Sequence, residues 1–164
     1  MENPKIEKIY YESFKNIDFI NKYKKIMDTH NHSLEDILSR MDKSIIKKTF
    51  REIGYDFKIS SPGQFYVMFE TVSNVSFKIS FQISGGIIAT YIHIYVGDNY
   101  VDIDNNKLGF LYRYLLNSMN LQINNPTFLD YFELKIILSD VLDIYEDFKK
   151  EFLKLMKEEN LLIE

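Results

Sequence analysis

The chain of 164 residues predicts an α+β fold: N-terminal helices, a four- to five-stranded antiparallel meander, and C-terminal helices packed on the sheet. Three observations predict it. Residues before Gly54 carry capping signals and apolar side chains at helical spacing. Residues 76–84 and 87–96 flank Gly85-Gly86 and sort their side chains onto the same two faces. Near the end, Leu134, Leu138, Val141, Tyr145, Phe148, Phe152 and Leu155 alternate spacings of four and three, a seven-residue repeat. With 46% hydrophobic residues and no linker or repeat, residues 1–164 read as one domain large enough to bury a core.

Asn3-Pro4 is an N-cap followed by proline at the first helical position, and Ile6, Ile9, Tyr10 and Phe14 continue as a helix over about 4–15. A second helix is expected from near Asp18 to about Met27, broken by residues 28–32. Ser33, with Asp36 at capping-box distance, opens a third. Its stripe is Leu34, Ile37, Leu38, Met41, Ile45 and Phe50, and Gly54 ends it. The period then changes to two. Tyr55, Phe57 and Ile59 alternate with Asp56 and Lys58; residues 60–63 (Ser60-Ser61-Pro62-Gly63) form a turn cluster; Phe65, Val67 and Phe69 alternate with Tyr66, Met68 and Glu70.

A two-residue turn at Gly85-Gly86 pairs Ser84 with Ile87. That register sets Ile83, Phe81, Ile79 and Phe77 opposite Ile88, Thr90, Ile92 and Ile94. The other face pairs Gln82 with Ala89, Ser80 with Tyr91, Lys78 with His93 and Ser76 with Tyr95. A slip by one residue would turn every apolar side chain outward. A four-residue turn around Ser73-Asn74 adds the preceding strand, with Val67 opposite Phe81, Phe69 opposite Ile79 and Glu70 across from Lys78. Residues 100–104 extend the edge. Asn105 or Asn106 caps a helix to about Met119, and Asn125-Pro126 starts a further segment. The apolar repeat predicts one long helix over about 128–158. The rival reading makes Phe132, Leu134, Ile136 and Leu138 a strand, with Ser139 capping a shorter helix.

Composition excludes several chemistries. The absence of cysteine removes disulfides, thiolate zinc sites and cysteine nucleophiles, and suits a reducing compartment. Met1-Glu2-Asn3-Pro4 has no signal-peptide character, and no apolar run approaches the roughly 18 residues of a membrane helix. The expectation is a cytoplasmic protein. Frequent Lys, Ile, Asn, Tyr and Phe suit an AT-rich bacterial genome. The net charge of −4 is uneven: residues 1–54 hold 11 basic against 9 acidic side chains, and residues 97–164 hold 7 against 13. An acidic second half disfavours nucleic acid as a partner and suits a basic protein.

Individual motifs carry little chemistry. His30-Asn31-His32 has the letters of a nuclease motif without its downstream parts. As metal ligands the two histidines lack a third donor at recognisable spacing, so a solvated loop is expected. Asp102-Ile103-Asp104-Asn105-Asn106 begins like a calcium loop, but Lys107 replaces the glycine at the sixth position and Arg113 the glutamate at the twelfth. Gly85-Gly86 joins two strands and is no phosphate loop. No serine comes with a base and an orienting acid. Asp143 and Asp147, and the basic run Lys43, Lys47, Lys48 and Arg51, read as solvated helix faces. No catalytic residue, metal or cofactor is expected.

The polar sheet face is the remaining candidate. Tyr66, Met68, Glu70, Lys78, Tyr91, His93 and Tyr95 are expected on it, with Asp98 and Asp102 counted in the same partner-binding surface. Aromatics among mixed charges are typical of protein interfaces. The competing expectation is that helices cover this face too, leaving the tyrosines half-buried. A lysine-rich helix runs into Gly54-Tyr55 (residues 45–55, Ile-Ile-Lys-Lys-Thr-Phe-Arg-Glu-Ile-Gly-Tyr), followed by the meander around Ile83-Ser84-Gly85-Gly86-Ile87-Ile88 and an acidic helical tail. This plan resembles the small immunity proteins of bacterial polymorphic-toxin and contact-dependent inhibition systems. The resemblance implies a non-enzymatic inhibitor that binds a cognate toxin domain. Two alternatives stay open: a small-molecule-binding or enzymatic domain with a pocket between sheet and helices holding Tyr91, His93 and Tyr95, and a structural phage or mobile-element protein.

Overall fold

Asn3 accepts the Ile6 N–H through its side chain at 3.2 Å and opens α1 (Pro4–Asn16), as the Asn-Pro signal predicts. The structure, a computed structural model, describes residues 3–60, 65–122 and 125–163. After α1, Asp18 turns the chain through the left-handed region (φ 59°) into α2 (Phe19–Thr29). Ile6, Ile9, Tyr10 and Phe14 of α1 and Phe19, Tyr23 and Ile26 of α2 are buried. Helix α3 (Lys43–Glu52) closes with Gly54 at φ 96°: the Gly54 N–H reaches the Arg51 carbonyl and the Tyr55 N–H reaches the Phe50 carbonyl.

The third helix starts nine residues later than Ser33 predicts, with Asp42 in place of Ser33 as its cap. Residues 33–42 form a turn and loop, and Leu34 is 77% exposed. Ser33 Oγ donates to the Asp36 carboxylate instead of capping a helix, and the backbone bonds elsewhere. The Leu38 N–H goes to the Phe128 carbonyl, and the Asp42 N–H to the Tyr131 hydroxyl. Asp42 then caps α3 through the Ser44 N–H. Tertiary hydrogen bonds have overridden a weak local helix preference.

The five strands form one antiparallel meander in sequence order: β1 (Lys58–Ile59), β2 (Phe65–Val72), β3 (Val75–Ser84), β4 (Ile87–Val96) and β5 (Asn99–Val101). The β3–β4 hairpin has the predicted register throughout, from Ser84 opposite Ile87 to Ser76 opposite Tyr95. The β2–β3 register does not. The turn at Ser73-Asn74 holds two residues, not four, so Val72 pairs with Val75, Tyr66 with Phe81, Met68 with Ile79 and Glu70 with Phe77. Ser73 supplies the positive φ (56°) that the tighter turn demands. Every side chain of β2 is therefore on the opposite face from the one expected. Strand β1 is limited to two residues, although Phe57 is buried, and β5 ends at Val101 rather than residue 104. Of the turn expected at residues 60–63, Ser61, Pro62 and Gly63 lie outside the described residues.

Helix α4 (Leu108–Leu115) starts after Lys107, which makes no side-chain cap bond, and stops short of Met119. Asn106 lies one residue before the cap position, and its amide N–H is engaged with His93. The long-helix reading of the C-terminal third holds: α5 (Tyr131–Glu158) is one continuous helix, and Phe132 is exposed rather than in a strand. Asp130 accepts the Glu133 N–H at 2.8 Å and sets its start. Leu134, Leu138, Val141, Tyr145, Phe148 and Phe152 are buried, as the apolar repeat predicts.

The core lies between one face of the sheet and the helices. Phe148 stacks on Phe14 at 4.2 Å and meets Phe77 edge-on at 6.3 Å; Phe50 stacks on Phe57 at 4.1 Å, and both rings meet Phe81. Large side chains of this kind contribute about 1.5–3 kcal/mol each on burial. The free edge of β4 is completed by single strand-like contacts. The Ile88 N–H donates to the Pro126 carbonyl and the Ile92 N–H to the Asn106 carbonyl. No described helix is long and apolar enough to cross a membrane.

Candidate functional site

Strand alternation and the observed registers place Lys58, Phe65, Val67, Phe69, Thr71, Ser76, Lys78, Ser80, Gln82, Tyr91, His93 and Tyr95 on the face turned away from the core. Tyr100 joins them opposite Tyr95. Most of these side chains are half-buried against one another, and Phe69 is 60% exposed. Tyr91, Tyr95 and Tyr100 are half-buried, as the competing expectation has it, whereas Phe69 is open to solvent.

The rings form two groups on this face. Phe65 contacts Tyr91 (6.1 Å between centroids), Phe69 contacts Tyr95 (6.3 Å), and Tyr100 contacts both Tyr95 (5.4 Å) and His93 (5.8 Å). Lysines cover the rings. Lys78 Nζ lies 5.6 Å from the Phe69 centroid, and Lys107 Nζ lies 5.8 Å from Tyr91 and 4.9 Å from Phe110. An open groove of about 580 Å³ runs between them, lined by Phe65, Val67, Lys78, Ser80, Tyr91 and His93. The outward positions of β1–β4 carry Lys58 and Lys78 and no carboxylate among the described residues.

His93 is the one imidazole here. The Asn106 amide N–H is 3.3 Å from Nδ1, and so is the Tyr100 hydroxyl. An amide donor leaves Nδ1 as the acceptor and the ring proton on Nε2. Partial burial, and then the Lys78 charge, push the His93 pKa below its ordinary 6.5. The face therefore presents a neutral imidazole among cations. For Tyr100, burial raises the phenol, the Asn106 hydrogen bond lowers it, and Asp102 and Tyr95 raise it; the net shift is upward.

The expected partner-binding residues divide. Lys78, Tyr91, His93 and Tyr95 come together on the outer face. Tyr66, Met68 and Glu70 do not: the shifted β2 register turns them to the core. Tyr66 is 1% exposed and packs with Phe50, and Met68 packs at the edge of the core. Glu70 reaches α5, where its Oε2 accepts from the Tyr145 hydroxyl (2.7 Å) and Lys149 Nζ (2.8 Å), so the pair with Lys78 does not form. Asp98 and Asp102 are exposed at the β5 end of the sheet. Phe65, Val67 and Phe69 take the vacated places, and Lys107 and Tyr100 belong to the same surface. Sequence reasoning missed Phe65, Val67 and Phe69 because both faces of β2 are apolar and only the turn length distinguishes them.

A second constellation lies at the start of α5. The two histidines expected in a solvated loop are drawn inward: His30 is 6% exposed and His32 half-buried, with Asn31 between them exposed. His30 Nδ1 and His32 Nε2 lie 2.7 and 2.6 Å from the same Glu133 oxygen, Oε1. The other oxygen, Oε2, accepts the Leu129 N–H at 2.7 Å. Burial pushes the Glu133 carboxyl up, but the hydrogen bonds from His32, His30 and the Leu129 N–H outweigh it and hold it below the ordinary range. These three side chains could hold a metal ion. No sequence spacing announces the set, because Glu133 is 101 residues beyond His32.

No family model, curated protein or solved structure matches this chain.

Proposed function

We propose that this protein is a non-enzymatic protein-binding module, an immunity protein of the bacterial cytoplasm that neutralises a cognate toxin domain through its outer sheet face. The observation that carries the reading is the half-exposed layer of Phe65, Phe69, Tyr91, Tyr95 and Tyr100 under Lys78 and Lys107. Aromatic side chains there offer large contact area at low entropic cost, and each is already positioned by its neighbours. The lysines define the partner: its contact patch carries carboxylates or other acceptors. Of the acids of the second half that suggested a basic partner, Asp98 and Asp102 are exposed at the β5 end of this sheet, and others lie on α5. Asp140, Asp143 and Asp147 of α5 border a shallow depression together with Lys22 and Lys25 of α2. They contribute to long-range steering rather than to the contact.

Co-expression with the toxin-like reading frame adjacent to the gene is expected to yield a complex and rescue growth. Tyr91→Ala with Tyr95→Ala is expected to weaken the complex at least about 30-fold, the equivalent of about 2 kcal/mol at an aromatic anchor. Absence of both complex and rescue would remove the immunity reading. A complex indifferent to the double variant would remove the face.

A second reading rests on the groove. Its volume of about 580 Å³ suits a small ligand, and Lys78, Ser80, His93 and Asn106 border it. It is open to solvent and lies on the other side of the sheet from the helices. The space between sheet and helices, where the alternative expected a pocket, is filled by Phe77, Phe81 and Phe148. A ligand screen by thermal shift, repeated on Tyr91→Ala, separates this reading from the first.

A further inference from the structure

We infer that His30, His32 and Glu133 form a binding site for a divalent transition metal, with Zn²⁺ the best fit. Three features carry this. The donor set is two imidazole nitrogens and one carboxylate oxygen, a combination that suits zinc and its neighbours and not calcium or magnesium. The donor atoms already converge: all lie within 4.8 Å of one another. The site is built, because each ligand is held from behind.

His30 and His32 flank Asn31 in a non-helical stretch, where residues two apart project to the same side. Thr127 fixes both. Its N–H and hydroxyl donate to the His30 carbonyl at 2.9 and 3.2 Å, and its hydroxyl oxygen accepts the His32 N–H at 2.7 Å. The His30 N–H is tied to the Ile26 carbonyl at the end of α2. Glu133 lies in the first turn of α5, and the Leu129 N–H on Oε2 orients the carboxylate so that Oε1 faces both rings. The contacts on the two histidines fix their backbone, and the one on Glu133 fixes the carboxylate itself.

The geometry requires a small adjustment. Metal–ligand bonds of about 2.0–2.2 Å separate two donors by about 2.9 Å at a right angle and about 3.4 Å at the tetrahedral angle. The present separations of 2.7 and 2.6 Å are those of hydrogen bonds, so the rings must retreat by a few tenths of an ångström or more. His32 and Glu133 have side chains 24% and 16% exposed, which leaves an entry path and room for a water as a further ligand. The ion would join the loop after α2 to the start of α5. Residues 126–128 also bond to the hairpin tip and to Leu38, so its role would be to stabilise that junction.

The test uses the full chain, stripped of metal by dialysis against chelator. Zn²⁺ is titrated in competition with a chromogenic chelator, and Co²⁺ is added separately to read its visible bands. The expected result is one Zn²⁺ per chain with a Kd of about 10 μM or below. The Tm should rise by about 5–10 °C at a free zinc concentration 100 times Kd. Affinity should fall at least tenfold in His32→Ala and in Glu133→Gln, and the Co²⁺ bands should disappear with it. Failure of the unmodified protein to take up Zn²⁺ at about 100 μM would overturn the assignment and leave a hydrogen-bonded clasp. So would uptake that survives His32→Ala, because it would place the ion elsewhere.

Discussion

Glu70 offers a direct measurement of what the β2 register does. In the structure its carboxylate reaches across to α5 and accepts hydrogen bonds from the hydroxyl of Tyr145, whose side chain is fully buried, at 2.7 Å and from Lys149 Nζ at 2.8 Å. Lys149 also holds Glu146 at 2.8 Å, and Tyr55 donates to Glu146 at 3.2 Å. Glu70→Ala leaves the Tyr145 hydroxyl without its acceptor, which costs about 1–3 kcal/mol. It also removes an ion pair with side chains 17% and 31% exposed, and solvent screening limits that part to about 1 kcal/mol at most. The sum is about 1–4 kcal/mol, or about 3–15 °C in Tm for a chain of this size. Glu70→Gln retains an acceptor for Tyr145 and should lose about half as much or less. Urea unfolding followed by circular dichroism measures each variant and the Tyr145→Phe cycle. Tyr145→Phe alone should cost about 1 kcal/mol. In the Glu70→Ala background it should cost nearly nothing, because the orphaned hydroxyl is gone. The coupling would then be about 1 kcal/mol. Additivity within about 0.5 kcal/mol, or a Glu70→Ala loss below that size, would refute the reasoning. The register expected from a four-residue turn, which places Glu70 beside Lys78 on the open face, predicts such a small effect.

Two further predictions concern alkali and the hairpin tip. Burial, and nearby acids or phenols, push Tyr55 and Tyr66 up to about 12 from the ordinary 10.0, and Tyr10, Tyr23 and Tyr145 are raised as well, chiefly by burial. Above pH 10 the unfolded chain therefore binds fewer protons than the folded one, so stability should fall steadily from pH 10 through about 12. Lys149 adds to this in the same direction, since burial lowers its pKa but bonds to Glu146 and Glu70 raise it further. Absorbance at about 295 nm should show these phenols ionising together with loss of circular dichroism; titration near 10 with the fold intact would contradict this. At the hairpin, a Cβ on Gly86 (φ 75°) would lie 2.8 Å from Ile37 Cβ and 3.0 Å from the Leu38 backbone, whereas one on Gly85 (φ 56°) would meet nothing within 4 Å. Gly85→Ala should cost about 1 kcal/mol and Gly86→Ala at least about 3 kcal/mol by chemical denaturation. Equal losses would mean that the loop over residues 33–42 does not pack on the turn.

The two hairpins show what makes a register legible. In β3–β4 one face is apolar but for Thr90 and Gly85-Gly86 accepts only a tight turn, so pattern and turn agree on a single pairing. In β2–β3, Phe65, Val67 and Phe69 compete with Tyr66 and Met68 for the core, and Ser73-Asn74 is compatible with turns of different length. The aromatic layer of the candidate site depends on that undecided strand, so only its β3 and β4 members were readable. Ser33 failed as a helix start for a related reason: the local signal was modest, and Phe128 and Tyr131, about 90 residues away, supplied competing hydrogen bonds.

The sequence by itself determined the order of elements, the N-cap of α1 and the termination of α3, the long α5 and the whole β3–β4 pairing. Each of these rests on residues close in the chain, where periodicity and turn chemistry act directly. Tertiary structure alone decided which face of β2 is buried, whether the outer sheet face is covered, and that Glu133 meets His30 and His32. Those outcomes depend on which distant side chains compete for the same space and the same hydrogen bonds, and spacing along the chain does not encode that competition.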